Sequence, residues 1–320
     1  METVKPFTSK DADNAFENYY MPSNWTSRHS SKEALIQHFV TVLTDNKNYV
    51  DENATGRFEL DVCYLDDDDD DINKKSEAAR FDFMYPEGIT PSLLNGLPIH
   101  IYIHGGYWEE GDRQFYRGFA KPYLHRNDVI VAIMGYDLCS DRHKIPDVEQ
   151  QCIQGFKYLS KKFPESTWVV YGHSAGGYLA TTLLSYPAII ASHLTALVLL
   201  CGVYDLGDLA AHTHIRKAID MSCVAQKQNL LTRCFSSDEA MSLLKERLKI
   251  VMLIGGDESP VFHCQSLAMF GKLSRDSFNV IFHIMKDEDH FSLVEGLCDQ
   301  GSEVTRCISE LLDTFISTDS

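Results

Sequence analysis

Hydrophobic residues in the second two-thirds of the chain fall into short runs that alternate with longer segments of helical periodicity. The runs are rich in Val, Ile and Leu, as expected for strands covered on both faces. The predicted strands are Ile99–Ile103, Val129–Met134, Trp168–Tyr171, Ala196–Leu200, Ile250–Ile254 and Val280–Ile284. The predicted crossover helices include Val148–Phe163, Ala175–Ser185 and Ser292–Phe315. Repeated strand–helix units of this kind predict an α/β fold with a mostly parallel, doubly wound central sheet flanked by helices.

The N-terminal part of the chain has a different pattern. Residues 1–56 form an irregular segment that contains one predicted helix, around Lys32–Leu43. Phe58–Leu65 and Arg80–Tyr85 alternate or carry β-formers, which predicts a strand pair at a sheet edge. An acidic insertion, residues 66–79, joins the two strands, and its run of aspartates is interpreted as a solvated loop.

The whole chain, residues 1–320, is predicted to form a single domain. Residues 204–248 are less regular than their surroundings and are interpreted as a possible cap over the sheet edge. No apolar run is long enough for a membrane span, and the first 30 residues lack the apolar stretch of a secretory signal.

A serine between two glycines gives the strongest chemical signal. Ser174 lies in Gly172-His173-Ser174-Ala175-Gly176, directly after a predicted strand and before a predicted helix. This G-x-S-x-G pattern at a strand-to-helix turn is typical of the nucleophile of α/β hydrolases. The alternative is a Gly-rich turn that merely joins a strand to a helix. We predict that Ser174 is the nucleophile of an α/β-hydrolase fold.

A second glycine-rich turn, His104-Gly105-Gly106-Tyr107-Trp108, follows the predicted strand Ile99–Ile103. In hydrolases of this fold, two backbone N–H groups stabilise the oxyanion of the tetrahedral intermediate. One comes from the residue after the serine, here Ala175, and the other from an H-G-G type loop after an earlier strand. We therefore predict an oxyanion hole formed by Gly105, Gly106 and Ala175.

The catalytic acid and base should follow the serine in that order and lie where strands end. Asp257 comes just after the predicted strand Ile250–Ile254, and His290 lies in a loop after the last predicted strand. Asp205, His283 and His263 are weaker alternatives, because Asp205 follows a strand too early, and the histidines lie within a strand and a helix. We predict Ser174, Asp257 and His290 as the triad.

Charge and cysteine usage narrow the class of partner. The formal net charge of −17 argues against nucleic acid and anionic membranes, both of which favour basic surfaces. The nine cysteines include no C-x-x-C pair, and their number is odd, so neither a disulfide framework nor a zinc cluster is expected. We expect a cytoplasmic protein with no metal and no cofactor, acting on a small molecule.

These motifs resemble those of the kynurenine formamidase (arylformamidase) family, over nearly the whole chain from about Asn18 to Glu295. The resemblance implies that Ser174, Asp257 and His290 form the triad, and that Glu258 is an extra residue beside the acid. The motifs that carry it are Tyr20-Met21-Pro22-Ser23-Asn24-Trp25 with Arg28, His104 to Trp108, Asp257-Glu258-Ser259-Pro260 with Gln265-Ser266, and Asp289-His290-Phe291.

The resemblance implies hydrolysis of N-formyl-L-kynurenine to L-kynurenine and formate, a step of tryptophan breakdown, and it makes a homodimer conceivable. Tyr107 and Trp108 are predicted to form an aromatic wall of the substrate pocket, although each could instead pack in the core. An esterase of broader specificity uses the same triad and stays the alternative. A third hypothesis is a binding module that retains the hydrolase fold without activity.

Overall fold

In the computed structural model, described for residues 18–65, 76–207, 209 and 229–314, the strands form one eight-stranded sheet. Its order is β1-β2-β4-β3-β5-β6-β7-β8, in which the pairs β1–β2 and β2–β4 are antiparallel and all the other neighbours are parallel. The strands are β1 Phe58–Cys63, β2 Arg80–Met84, β3 Ile99–Ile103, β4 Ile130–Met134, β5 Trp168–His173, β6 Leu194–Leu200, β7 Lys249–Asp257 and β8 Asn279–Asp289.

The helices are α1 Lys32–Asn53, α2 Pro91–Leu94, α3 Ile145–Lys162, α4 Ala175–Thr182, α5 Pro187–Ile190, α6 Glu239–Arg247, α7 Pro260–Arg275, α8 Ser292–Leu297 and α9 Glu303–Thr314, with 3-10 segments at Pro22–Asn24, Phe115–Tyr123 and Leu183–Ser185. Helices α3 to α7 lie in the connections between the parallel strands β4 to β8. None of the helices in the described ranges is long and apolar enough to cross a membrane.

The central strands are almost entirely buried, which explains their continuous Val, Ile and Leu content. Every residue of β4 is buried, and so are all but one of the residues of β3. Strands that carry helices on both faces need apolar side chains in both directions, so they lose the alternation of a half-exposed strand. The predicted mostly parallel α/β sheet is confirmed. Because the parallel strands all run in the same direction, the residues that follow β3, β5, β6, β7 and β8 meet at one edge.

Helix α1 begins as predicted but is ten residues longer than the predicted Lys32–Leu43. The hydroxyl of Ser31 caps its first turn by accepting a hydrogen bond from the backbone N–H of Ala34, at 3.1 Å. One face of the helix is buried through Leu35, Phe39, Leu43 and Val50. Polar residues interrupt the apolar stripe after Leu43, so the pattern alone ended the helix too early.

The predicted C-terminal helix Ser292–Phe315 is wrong as a continuous element, because a turn after residue 297 divides it into α8 and α9. The Ser302 hydroxyl accepts a hydrogen bond from Thr305 N at 3.0 Å and so starts the second helix. Two further predictions fall partly outside the described residues: the acidic insertion 66–79 at residues 66–75, and the cap 204–248 at residues 208 and 210–228.

Candidate active site

Ser174 occupies the turn between β5 and α4, and its backbone is strained there. Its φ of 53° and ψ of −117° lie in a region that residues with a side chain rarely adopt. The turn is tight, because a Cβ on Gly172 would lie 2.5 Å from the carbonyl oxygen of Gly176, and a Cβ on Gly176 would collide with the carbonyl oxygen of Ile103 in the neighbouring strand β3. The strand-to-helix turn therefore holds the serine hydroxyl at the edge where the parallel strands end.

His290 follows the last residue of β8 and lies at the same edge. Its side chain is buried, and its Nδ1 lies 2.5 Å from the Glu258 carboxylate. The ring of His173, the residue before the serine, lies 4.6 Å from the His290 ring. Both Ser174 and His290 line one cavity. The structure therefore brings the predicted nucleophile and the predicted base to a common site.

The prediction of Asp257 as the partner of His290 is wrong. Asp257 ends strand β7, and its partly exposed carboxylate accepts a hydrogen bond from the hydroxyl of Ser27. The next residue, Glu258, is buried and contacts His290 instead. Adjacent side chains of an extended chain point to opposite sides, so a one-residue shift exchanges the carboxylate that reaches the imidazole. A register irregularity between Gly255 and Asp257 accompanies this shift.

Glu258 is also close to a buried thiol. Cys201 follows strand β6 with a φ of 45°, and its Sγ, a Glu258 oxygen and a His290 nitrogen lie within 4.8 Å of one another. Burial, reinforced by the Glu258 charge, raises the pKa of Cys201 well above its ordinary value, so the thiol keeps its proton. Cysteine, glutamate and histidine are zinc-binding residue types. In this arrangement, however, the hydrogen bond to His290 already engages the Glu258 carboxylate.

His173 fixes the loop that carries His290. Its Nε2 lies 2.9 Å from the backbone carbonyl oxygen of His290, so the ring is in the tautomer that donates from Nε2. Burial, together with the nearby His290 ring, lowers the pKa of His173 well below its ordinary value. A neutral His173 can make this contact without placing a positive charge beside the His290 ring.

The residues predicted for the oxyanion hole surround Ser174. A Cβ on Gly105 would lie 2.9 Å from the Cβ of Ser174, so only glycine allows this close approach of the two loops. Gly106 lines the cavity. Ala175 is the first residue of helix α4, and the N–H groups of a first helical turn have no acceptor within the helix. This geometry is compatible with an oxyanion hole formed by these residues.

The two aromatic residues of the loop after β3 have different environments. Tyr107 lines the cavity, and its hydroxyl donates a hydrogen bond to the backbone carbonyl of Tyr20. Trp108 is fully buried, and its ring packs edge-on against Tyr178 at 5.3 Å. The prediction that Trp108 forms part of the pocket wall is therefore wrong, because its ring packs in the core against Tyr178 instead.

A cavity of about 810 Å³ opens over Ser174 and His290. Its volume is in the range of pockets that hold small organic ligands. Helix α1 and the 3-10 segment Phe115–Tyr123 contribute apolar side chains to its wall, namely Ile36, Phe39, Val40, Leu43, Phe115 and Tyr116. Charged residues of both signs also line it: Lys32 on α1, and Glu109, Glu110 and Asp112 on the loop after β3.

The three alternative residues lie outside this arrangement. Asp205 accepts hydrogen bonds from Gly207 N at 2.8 Å and Asn229 Nδ2 at 2.7 Å, so it organises its own loop. His283 lies on an exposed position of β8, and His263 lies on α7. None of the three lines the cavity.

Comparison with known proteins places this site in a family. The sequence profile described as the alpha/beta hydrolase fold matches residues 100–292, which is more than half of the chain. The chain belongs to the α/β-hydrolase family. All the residues gathered around Ser174 by the parallel strands fall within the matched region, whereas helix α1 precedes it.

This α/β hydrolase is similar to curated proteins named kynurenine formamidase, which confirms the resemblance predicted from the motifs. It is 24% identical over 305 residues to the protein of Danio rerio and 26% identical over 308 residues to that of Salmo salar. Each match covers 92% of this chain and 95% of the relative. The Drosophila melanogaster protein is 26% identical over 315 residues, with 91% of this chain and 95% of the relative covered.

Solved structures share the fold at low sequence identity. A candidate thioesterase from Silicibacter sp. superposes with a TM-score of 0.68 at 20% identity, covering 93% of this chain and 99% of the other. Esterase B from Lactobacillus rhamnosis superposes with a TM-score of 0.63 at 17% identity, covering 89% and 95%. These structures show the fold of the α/β hydrolase and nothing finer.

Proposed function

We propose that this α/β hydrolase cleaves the formamide of N-formyl-L-kynurenine, giving L-kynurenine and formate through an acyl-enzyme on Ser174. The observation that carries the proposal is the short contact between His290 and Glu258 beside the strained serine turn, at 2.5 Å. A neutral imidazole whose Nδ1–H donates to a carboxylate has its other nitrogen available as a base. The similarity to proteins named kynurenine formamidase along nearly their full length supports the choice of substrate.

In the proposed mechanism, the Ser174 oxygen attacks the formyl carbon while His290 takes the hydroxyl proton. The backbone N–H groups of Gly105, Gly106 and Ala175 stabilise the negative oxygen that develops. The carbon–nitrogen bond then breaks, and the aniline nitrogen leaves with the proton held by His290. Water attacks the remaining formyl ester with His290 again acting as base, which releases formate and restores the serine. Glu258 holds the imidazole in the required tautomer throughout.

The cavity suits a substrate that has an aromatic ring and a zwitterionic tail. The apolar side chains of α1 and of Phe115–Tyr123 provide a surface for the aryl ring. Lys32 on one wall and Glu109, Glu110 and Asp112 on another provide charges that complement a carboxylate and an ammonium. A formanilide is also an activated amide, because its leaving nitrogen is conjugated with the ring.

The direct test is turnover of N-formyl-L-kynurenine by the purified protein, followed by the absorbance of kynurenine and by assay of formate. Ser174→Ala should reduce kcat by about 10⁴- to 10⁶-fold, as expected for loss of a nucleophile. Ser160→Ala is the matched control, because that hydroxyl, on helix α3, donates to the carbonyl of Lys157 at 2.8 Å. A kcat/KM for 4-nitrophenyl acetate that exceeds the value for N-formyl-L-kynurenine would instead favour a broad esterase.

A further inference from the structure

The N-terminal segment that precedes helix α1, residues 18–31, contacts residues adjacent to the proposed catalytic groups. We call this segment the strap. The backbone carbonyl of Tyr19 accepts a hydrogen bond from the hydroxyl of Ser259, the residue after the acid. The carbonyl of Tyr20 accepts one from Tyr107, in the loop of the proposed oxyanion hole. The first half of the strap therefore connects two of the loops that form the site.

The second half of the strap reaches the other loops. The Ser27 hydroxyl donates to Asp257, the residue before the acid, and the Thr26 hydroxyl donates to Asp289, the residue before the proposed base. Arg28 also binds Asp289. The strap thus bonds to a residue on each side of the acid and to the residue that precedes the base.

Arg28 makes the most extensive of these contacts. Its Nε lies 2.7 Å from one oxygen of Asp289, and its Nη2 lies 3.1 Å from the other. The same guanidinium binds Glu295 on helix α8, with Nη1 at 2.9 Å and Nη2 at 3.3 Å. One planar cation therefore bridges the carboxylates before and after the turn that carries His290, a geometry that a lysine cannot reproduce with two parallel bonds.

The Asp289 carboxylate also shapes the turn itself. Its Oδ1 accepts hydrogen bonds from the backbone N–H of Phe291 at 2.9 Å and of Ser292 at 2.8 Å. These bonds span His290, so the direction of the imidazole depends on where the carboxylate is held. Because Asp289 is 1% exposed and Arg28 is 26% exposed, the ion pair is partly shielded from water.

The ionisation of Asp289 agrees with this geometry. Burial alone would raise the pKa of Asp289, but hydrogen bonds from Arg28 and Thr26 and from the backbone of Ser292 lower it to about 2. The carboxylate is therefore charged at neutral pH, and so is the guanidinium that holds it.

We propose that Arg28 is a positioning residue for catalysis: through Asp289 and Glu295 it holds the turn that aims His290 at Ser174. The inference rests on the proposed function of Ser174 and His290 as a catalytic pair. It assigns to the strap, which lies outside the matched family region, the task of completing the site.

The test compares Arg28→Ala and Arg28→Lys with the wild-type full chain. We expect Arg28→Ala to lower kcat by about 10- to 100-fold with little change in KM, because the imidazole is misdirected while the cavity wall is unchanged. Arg28→Lys should recover only part of the loss. Millimolar guanidinium ion should restore activity to Arg28→Ala and leave the wild-type enzyme unaffected. The labelling rate of Ser174 by a fluorophosphonate probe should fall and recover in parallel.

Arg126→Ala is the matched control. Arg126 makes a two-bond ion pair with Asp128, at 2.8 Å for each bond, before strand β4 and thus at the opposite edge of the sheet. The Arg126→Ala variant should keep the wild-type kcat.

The inference is overturned if Arg28→Ala keeps the wild-type kcat, or if guanidinium ion restores neither the turnover nor the labelling of Arg28→Ala. If Arg28→Ala does not fold, the kcat of Arg28→Lys decides, and a wild-type value overturns the inference. If Ser174 of the wild-type protein is labelled but N-formyl-L-kynurenine is not turned over, the proposed substrate is wrong. The role of Arg28 is then decided by the labelling rates of the Arg28 variants alone.

Discussion

Two buried carboxylates of this protein, Glu258 after strand β7 and Asp82 on strand β2, have partners of different chemistry. Glu258 contacts an imidazole, His290, with 2.5 Å between the oxygen and Nδ1. Asp82 is held between two guanidinium groups, with Arg113 Nε at 3.1 Å and Arg117 Nη2 at 3.0 Å. Histidine can gain and lose a proton near neutral pH, whereas arginine cannot.

The difference separates a reactive buried charge from a structural one. The Asp82 cluster holds elements together, because its two arginines keep their charges and have no proton to exchange with a substrate. It links strand β2 to the 3-10 segment Phe115–Tyr123, and through Arg117 to Asp51 on helix α1, at 2.8 Å. The Glu258–His290 pair can accept a proton and adjoins a cavity. Substitutions in the Asp82 cluster should therefore alter stability, and substitutions in the Glu258–His290 pair should alter catalysis.

Of the substitutions that test this comparison, Glu258→Gln should have the largest effect. Without the negative charge, the imidazolium formed during catalysis loses its stabilisation, and the amide does not enforce the required tautomer. We expect kcat to fall by about 10³- to 10⁴-fold, with little change in the urea midpoint of unfolding. Asp257→Asn is the matched control at the adjacent position and should keep kcat within about fivefold. Equal losses in the two variants would contradict the assignment of Glu258 as the acid.

The Asp82→Ala variant tests whether the Asp82 cluster contributes to stability alone. It leaves Arg113 and Arg117 without their shared carboxylate, which should cost about 3–5 kcal/mol in the free energy of unfolding, measured with urea. The folded fraction should keep wild-type kcat. Arg126→Ala breaks an exposed ion pair and should cost less than about 1 kcal/mol. A drop in kcat for folded Asp82→Ala would show that the two regions are coupled.

The lowered pKa of Asp289 should make the stability of the protein depend on pH. Because its pKa is lowered to about 2 in the folded protein, it contributes stability that is present above about pH 4 and is lost as the pH falls toward 2. With allowance for solvent screening, the contribution is about 1–2 kcal/mol. Between pH 5 and pH 2, the free energy of unfolding measured with urea should fall by that much more for the wild-type protein than for Asp289→Asn. Parallel curves for the two proteins would contradict the role of Arg28 as its partner.

The smallest expected effect concerns Cys201, whose protonated thiol can donate a hydrogen bond to Glu258. Cys201→Ala removes that donor and should lower kcat/KM by about two- to tenfold, the value of one buried hydrogen bond. Cys201→Ser retains a donor of similar size and should preserve kcat/KM better than alanine does. If alanine and serine behave alike, the thiol only fills space beside the acid.

The sequence predicted the fold because its signals were local. Strand Ile99–Ile103 has the same limits in the structure, and Ser174 lies on the expected turn between a strand and a helix. Each of these features depends on residues that are neighbours along the chain, namely an unbroken apolar run and two flanking glycines. Local patterns were sufficient there.

The finer features of the site depend on contacts that no local pattern contains. Two adjacent carboxylates end strand β7, and which of them faces His290 depends on a register irregularity between β7 and β8. The extra residue Glu258 is visible in the sequence and is the available signal, but the resemblance assigns the acid to Asp257 and leaves Glu258 as the residue beside it. The environment of Trp108 was missed for a similar reason, because its burial depends on a contact with Tyr178, which is 70 residues away in the sequence.

The cavity wall opposite the catalytic residues has a separate origin in the chain. Met21, Pro22 and Ser23 of the strap and five residues of helix α1 line it, and all of them precede the matched region 100–292. Part of the surface that meets the substrate is therefore encoded before the matched region, in the same stretch of sequence that carries Arg28. A change of selectivity engineered into residues 18–53 has to preserve the contact of Arg28 with Asp289, because the same short stretch contributes both to the cavity wall and to the turn that carries His290.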